Sequence, residues 1–319
     1  MIVDIRKKAA FEKGHIPGAV SFPFPKNPEA WRSKLSNIFP SNVDHEASAV
    51  VSLLRSCSAG SARIYCHTGT WRSRAFAAFA ASLNIPIEIM PGGYRAFQQA
   101  REKVFDRPYP LVVVGGKTGS GKTALLEALR MRGEQVIHLE ELANHKGSAF
   151  GGLQRSQPQI TNEQFRNDLS EVLSAMDSRR MIWVEDEGRS LGHVGIPTTF
   201  WNQMHAAPVV KLELRFERRI QRILDEYGHI DRELLAKAVE KVQNRLGDAA
   251  ATARSALLCG QLATTVNLML NYYDESYAFH LKNRRVILTI QMDDQSMKQV
   301  ALELSSRVVN VVCESYAET

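Results

Sequence analysis

The chain has 319 residues, 44% hydrophobic and 23% charged, with a formal net charge of +6 at pH 7. This composition excludes a disordered tail and a collagen-like chain, and four cysteines are too few for a disulfide scaffold. The mild basic excess permits a nucleic-acid partner without demanding one. No apolar run approaches the ~18 residues that span a bilayer, and the opening Met1-Ile-Val-Asp-Ile-Arg has no signal-peptide pattern. A cytoplasmic protein of two domains, at roughly 100–200 residues each, is expected.

In chain order, residues 1–105 read as short elements punctuated by Pro and Gly. A strand is expected over 2–5, loops at Phe22-Pro-Phe-Pro and Asn27-Pro, a strand over 63–66 and a helix over 73–83. A strand over 85–90 ends at Pro91-Gly-Gly93 and leads to a helix over 94–104. Asp106-Arg-Pro-Tyr-Pro110 breaks both periodicities and reads as the linker. Beyond it come an apolar strand over 111–114, a Gly-rich loop, a helix over 123–131, and strands over 135–139, 181–184 and 209–214. Residues from about 217 to 278 are mostly helical in pattern, with a late strand over 286–291 and a closing helix near 297–308. The expected fold class is α/β: a parallel-sheet domain over 1–105, then a doubly wound α/β domain over 106–319 with a helical C-terminal part.

Gly116-Lys-Thr118-Gly119-Ser120-Gly121-Lys122-Thr123 fits G-x-x-x-x-G-K-[ST] between an apolar strand and a helix, the setting of a phosphate-binding loop. Glycines let successive N–H groups turn toward phosphate oxygens, and the helix N-terminus adds positive potential. Lys122 supplies a point charge, and the Thr123 hydroxyl is a candidate ligand for Mg²⁺. The motif calls for a di- or triphosphate and does not require ATP. An apolar strand ending in Glu185-Asp186-Glu187 places an acid where such proteins hold Mg²⁺, with Asp186 or Glu185 the candidates and Arg189 a candidate phosphate clamp.

A second constellation is Cys66-His-Thr-Gly69-Thr-Trp-Arg72-Ser73, a cysteine at a strand end followed by a short loop entering a helix. Loop amides and the helix N-terminus stabilise a thiolate and form an anion nest that includes Gly69 and Ser73, with Arg72 facing an anion over the sulfur. Two chemistries share this spacing: ester hydrolysis through a phosphocysteine, and sulfur or selenium transfer through a persulfide or perselenide. A buried structural cysteine is the plain alternative.

Asp4-Ile-Arg6, followed by Phe11-Glu-x-Gly14-His15-Ile-Pro-Gly-Ala19, resembles the rhodanese homology domain, in which the histidine is structural. Because the chain begins at the D-x-R strand, before which rhodanese domains usually carry more chain, three readings stay open: a mis-assigned start, a truncated start, or a reduced domain. A rhodanese-like domain followed by a P-loop domain resembles the tRNA 2-selenouridine synthase family. Further segments carry that resemblance: Gly92-Gly-Tyr-Arg-Ala-Phe97, Thr118–Thr123, Leu139-Glu140, His145-Lys-Gly-Ser-Ala-Phe-Gly-Gly152, Val184-Glu-Asp-Glu-Gly-Arg189 with Gly192 and Ile196-Pro197, and Leu270-Asn-Tyr-Tyr-Asp-Glu-Ser-Tyr277. The family's cysteine loop reads C-W-R-G-G-M-R-S, of which Cys66, Gly69, Arg72 and Ser73 are retained here.

The resemblance implies an enzyme that modifies tRNA, replacing the sulfur of wobble 2-thiouridine with selenium from selenophosphate through an S-geranyl intermediate made from geranyl diphosphate. On that reading the P-loop holds the prenyl diphosphate with Mg²⁺, Cys66 takes selenium, and Arg72 with the loop amides binds selenophosphate. Candidate basic surfaces for tRNA are Arg63, Arg72, Arg74, Arg95 and Arg101; Lys211, Arg215, Arg218, Arg219 and Arg222; and Lys282, Arg284 and Arg285. Two other readings stay open: a rhodanese-like sulfurtransferase or phosphatase fused to an ATP- or GTP-hydrolysing domain, and a non-catalytic tRNA-binding module.

Overall fold

The computed structural model describes residues 1–24, 62–82, 84–146, 158–241, 247–292, 295–304 and 307–308. The expected loop at Asn27-Pro, Cys57, Cys313 and most of the His145–Gly152 segment lie outside these residues. The protein is α/β, with two parallel sheets in two compact units.

The first unit comprises residues 1–106 together with 161–174. Its sheet runs β2-β1-β3-β4, all parallel, from β1 (Ile2–Asp4), β2 (Ala19–Ser21), β3 (Arg63–Tyr65) and β4 (Glu88–Ile89). The expected strand over 85–90 is cut to two residues, consistent with Pro86, which has no N–H for a ladder bond. Val3, Ile5, Phe22, Phe24, Ile64 and Phe76 pack its core. Among the described residues the helices of this unit are α1 (Lys8–Lys13), α2 (Trp71–Ser82), α3 (Gly93–Phe105) and a later segment of chain, Asn162–Ala175, which forms helix α6.

That late helix departs from the expected division, which placed everything after 106 in the second domain. Its polar face explains the departure. Buried Arg101 reaches Glu163 Oε1 at 2.9 Å and Asn167 Oδ1 at 2.6 Å. Asn167 Nδ2 donates to the carbonyl of His15 and to the Tyr94 hydroxyl, each at 2.8 Å, and the His15 amide donates to Gln164 Oε1 at 2.9 Å. The helix therefore supplies partners that buried polar groups of the first unit require.

The second unit comprises residues 107–160 and 175–319. Its parallel sheet runs β11-β10-β5-β7-β6, from β5 (Leu111–Gly116), β6 (Gln135–Ile137), β7 (Ile182–Glu185), β10 (Val209–Glu213) and β11 (Val286–Gln291). Every residue of β5 and β7 is buried, as expected of strands covered on both faces. A small antiparallel hairpin, β8 (Ser190–Leu191) and β9 (Val194–Gly195), was not visible in the sequence. Helix α4 (Lys122–Met131) follows the Gly-rich loop, and short α5 (Leu139–Leu142) and α7 (Thr198–Ala206) follow β6 and β9. The helical part contains α8 (Phe216–Tyr227), α9 (Arg232–Lys241), α10 (Asp248–Leu258) and α11 (Leu262–Leu281), which share a second apolar core. No helix among the described residues is long and apolar enough to cross a membrane.

Candidate active site

In the first unit, β3 delivers Cys66 to the N-terminus of α2, and the loop between them is held from outside by Gly92 and Gly93. The Tyr94 and Arg95 amides, at the start of α3, donate to the carbonyls of Cys66 and His67, each at 2.9 Å. Gly93 has φ +57°, and a Cβ there would sit 2.3 Å from the Cys66 carbonyl oxygen. Only glycine permits both the left-handed turn and this approach. Carbonyls of the loop are thereby used on its outer side, and its amides face the sulfur. Burial pushes the Cys66 thiol up, but the Ser73 hydroxyl and the N–H groups of Thr68, Thr70 and Gly69 outweigh it, and the net displacement is downward. The Cys66 amide donates to Ser73 Oγ at 3.2 Å.

Arg72 Nη2 donates to the carbonyl of Phe24 at 2.6 Å and lies 3.5 Å from that of Ile5, so backbone carbonyls engage one end of the guanidinium. Asp4 and Arg6 form a buried clamp, with Arg6 Nη2 2.6 Å from both Asp4 Oδ2 and the Gly14 carbonyl, and Tyr65 donating to Asp4 Oδ2 at 2.8 Å. His15 stacks on Phe11 and places Nδ1 3.0 Å from the Phe11 carbonyl, which is the structural role expected of it.

In the second unit, the Gly-rich loop leaves the C-terminal end of central strand β5 and enters α4 at Gly121. It opens on a cavity of about 890 Å³. Gly116, Thr118, Gly119, Gly121, Lys122 and Thr123 line one part of it, and the Ser120 side chain is buried behind the loop. Lys122 Nζ donates to the Gly116 carbonyl at 2.8 Å. A second part of the lining is apolar: Ile223 and Tyr227 from α8, and Val266, Met269, Leu270 and Tyr273 from α11. Glu185, Asp186 and Glu187 form a third.

These acids are not equivalent. Asp186 Oδ1 accepts from Arg284 Nη1 at 2.8 Å and faces His280 Nε2 at 3.4 Å. Burial pushes its carboxyl up, but His280 and Arg284 outweigh this and hold it below its ordinary value. Asp186, one of the two acids expected to hold Mg²⁺, thus carries a buried ion pair through Oδ1 and also lines the cavity. Glu185 Oε1 accepts from the Glu140 amide at 2.6 Å, and burial together with the Glu140 charge pushes Glu185 up to about 8. Desolvation and Glu140 raise Glu187 in the same direction. Among the described residues no three His, Cys, Asp or Glu side chains converge to hold a metal by themselves. Mg²⁺ asks for less, one or two carboxylates plus ligand phosphates, and the hard oxygens of Thr123, Glu185 and Glu187 around this cavity fit that requirement. Arg189 does not line the cavity; it lies over the Trp201 ring, 5.2 Å from its centroid, with Nη2 3.4 Å from Thr198 Oγ1.

Comparison with known proteins bears on both units. The model of the tRNA 2-selenouridine synthase AAA domain matches residues 109–307, and the rhodanese-like domain model matches residues 1–100. A curated tRNA 2-selenouridine synthase from Sulfurovum sp. is 33% identical, covering 75% of this chain and 67% of its own. The chain belongs to the tRNA 2-selenouridine synthase family. Relatives of the same name from Shewanella loihica (27% identical, covering 96% of this chain and 94% of the relative) and Proteus mirabilis (28%, covering 89% and 90%) extend the similarity over most of the sequence.

The segments through which the sequence resembles the tRNA 2-selenouridine synthases now have physical content. Gly93 and Tyr94 clamp the cysteine loop. In Tyr272-Tyr-Asp-Glu-Ser-Tyr277, Tyr273 lines the apolar wall, Asp274 makes a two-point ion pair with Arg219 (2.8 and 2.5 Å) and holds Lys117 at 3.1 Å, and Tyr277 accepts the Gly116 amide. Nothing local in the sequence connects these tyrosines to the phosphate loop. The basic residues expected at an RNA surface include Arg101, Arg219 and Arg284. All three are buried, each against an acid: Glu163, Asp274 and Asp186 respectively.

Proposed function

We propose that this protein replaces the sulfur of wobble 2-thiouridine in tRNA with selenium from selenophosphate, by way of an S-geranyl intermediate formed from geranyl diphosphate. The observation that carries the reading is the divided lining of the cavity. A phosphate cradle stands beside an apolar wall of Ile223, Tyr227, Val266, Met269, Leu270 and Tyr273. A ligand with a diphosphate head and a hydrocarbon tail satisfies both parts. The curated relatives are named for 2-selenouridine synthesis on tRNA, which accords with the same substrate.

The chemistry needs both loops. Sulfur leaves a pyrimidine ring poorly as thiolate and more readily as a neutral thioether-derived thiol, so alkylation prepares the displacement. The loop amides and Lys122 bind the diphosphate head, and the apolar wall orients the tail. Mg²⁺, held by Thr123 and a Glu185 or Glu187 carboxylate, would neutralise phosphate charge. Selenophosphate is received by the loop amides beside Cys66, whose thiolate, favoured by Ser73 and those amides, attacks its phosphorus; the P–Se bond breaks, the released hydroselenide bonds to C2 of the base as geranyl thiol leaves, and water hydrolyses the S–P bond to free phosphate.

The test is incubation with 2-thiouridine-containing tRNA, geranyl diphosphate, Mg²⁺ and selenophosphate, followed by nucleoside mass spectrometry. A selenium-containing uridine is the expected product. Cys66→Ser should abolish selenation while geranylated product persists, and Lys122→Ala should abolish both. Nucleotide hydrolysis without any modified nucleoside would overturn the reading.

A further inference from the structure

The cavity presents an electrostatic problem. Glu127, Glu140, Glu141, Glu185, Glu187 and Glu226 line it, and its expected occupant is an anion. Three cations line the same space: Lys122, Lys146 and Arg222. Lys146 is paired with Glu226. Lys122 belongs to the loop motif. Arg222, on α8, was grouped by sequence with the RNA-binding candidates, and its position fits a different task.

Arg222 Nη1 lies 3.3 Å from the Gly119 carbonyl, and a Cβ on Gly121 would sit 2.5 Å from the same nitrogen. Its guanidinium is therefore against the residue that begins α4, where backbone amides and the helix dipole draw phosphate. Among the described residues no carboxylate forms an ion pair with it. The contrast with Arg219, three residues earlier on the same helix, is informative. Arg219 is buried, gripped at two points by Asp274, and donates to the Thr118 carbonyl at 3.2 Å. Residues three apart share a helix face, so the Arg219–Asp274 pair fixes α8 to the loop and leaves Arg222 at its rim with unused donors.

We propose that Arg222 binds the diphosphate leaving group in the cavity and stabilises the charge it acquires during prenyl transfer. The inference rests on the prenyl-diphosphate reading given above. In the step, the bond between the allylic carbon and the diphosphate oxygen breaks, and both electrons stay with the diphosphate. The carbon bonds to the sulfur of the base, whose ring N–H proton passes to water. Negative charge grows on the departing oxygen, and a planar guanidinium with free N–H donors is suited to meet it.

The experiment measures inorganic pyrophosphate binding calorimetrically in Mg²⁺, and geranylation kinetics, for the wild type, Arg222→Ala, Arg222→Lys and Lys122→Ala. The proposal expects Arg222→Ala to weaken pyrophosphate binding about tenfold or more and to lower kcat by roughly a hundredfold, the usual loss for one charge-stabilising donor, with Arg222→Lys recovering part of both. Wild-type values for Arg222→Ala beside a loss in Lys122→Ala would overturn the Arg222 assignment and leave the cavity reading standing. A wild type that binds neither pyrophosphate nor geranyl diphosphate would overturn both. An Arg222→Ala protein that binds pyrophosphate normally but tRNA weakly would return the residue to the RNA surface.

Discussion

The Gly116 amide donates to the Tyr277 hydroxyl across 2.6 Å, tying the first residue of the phosphate loop to a helix 161 positions later. Burial and the nearby Asp186 charge raise the Tyr277 phenol, so it remains a neutral hydroxyl throughout the working pH range. A Cβ on Gly115 would lie 2.7 Å from the same oxygen, which shows how closely the helix approaches.

Tyr277→Phe should leave the buried Gly116 amide without its acceptor. The expected loss is about 1–3 kcal/mol of unfolding free energy, read by chemical denaturation, together with weaker pyrophosphate binding because the loop loses its outer anchor. Unchanged values for both would show the contact to be incidental.

Ser73→Ala should raise the Cys66 thiol, since the Ser73 hydroxyl is the foremost of the bonds that lower it against burial. Peptide-resolved iodoacetamide alkylation across pH should show the Cys66 rate rising later in the variant, with exposed Cys259 as the internal reference. The sign follows from the wild type: a thiol lowered by folding favours the folded state above its unfolded value, and this contribution disappears as pH falls through the folded value. The variant should lose part of it.

Asp186→Ala should destabilise the protein without Mg²⁺ present. Asp186 and Arg284 are 2.8 Å apart with 1% and 2% of their side chains exposed, and removing one partner of such a pair costs about 3–5 kcal/mol. The double variant Asp186→Leu/Arg284→Met should recover much of the loss in a double-mutant cycle. Were Asp186 only a metal ligand, the metal-free protein would melt as before.

Glu185→Gln should flatten the pH dependence of stability. The carboxyl is raised from 4.5 to about 8, so between those values the folded state binds the extra proton and wild-type stability declines as pH rises. Denaturation at pH 5 and pH 8 should show a smaller drop in the variant, and an equal drop would place the decline elsewhere.

Much of this was legible along the chain. Strands such as Leu111–Gly116 and Val209–Glu213 announce themselves because a strand covered on both faces is apolar without interruption. The two anion loops were legible because their glycines, Lys122 and Cys66 stand at fixed spacing. Ala19–Ser21 and the Ser190–Gly195 hairpin were not, since two or three residues carry no period. Arg219 and Arg222 illustrate a second limit. Their spacing says that they share a face, and nothing local says that Asp274 waits 55 residues away to bury one of them. The ion pair of Asp186 was hidden for the same reason, because Arg284 is nearly a hundred residues distant.

The membership of α6 in the first unit sets an order of events during synthesis. When the ribosome has made residue 106, strands β1 to β4 have been synthesised, but Arg101, Tyr94 and the His15 backbone still lack Glu163, Asn167 and Gln164. At roughly 5–20 residues per second, completing the first core waits seconds for a helix that emerges only after the phosphate loop and β6. The two halves of the polypeptide therefore mature interleaved rather than in succession, and a protein cut at the linker would carry the cysteine loop on a scaffold missing its last helix.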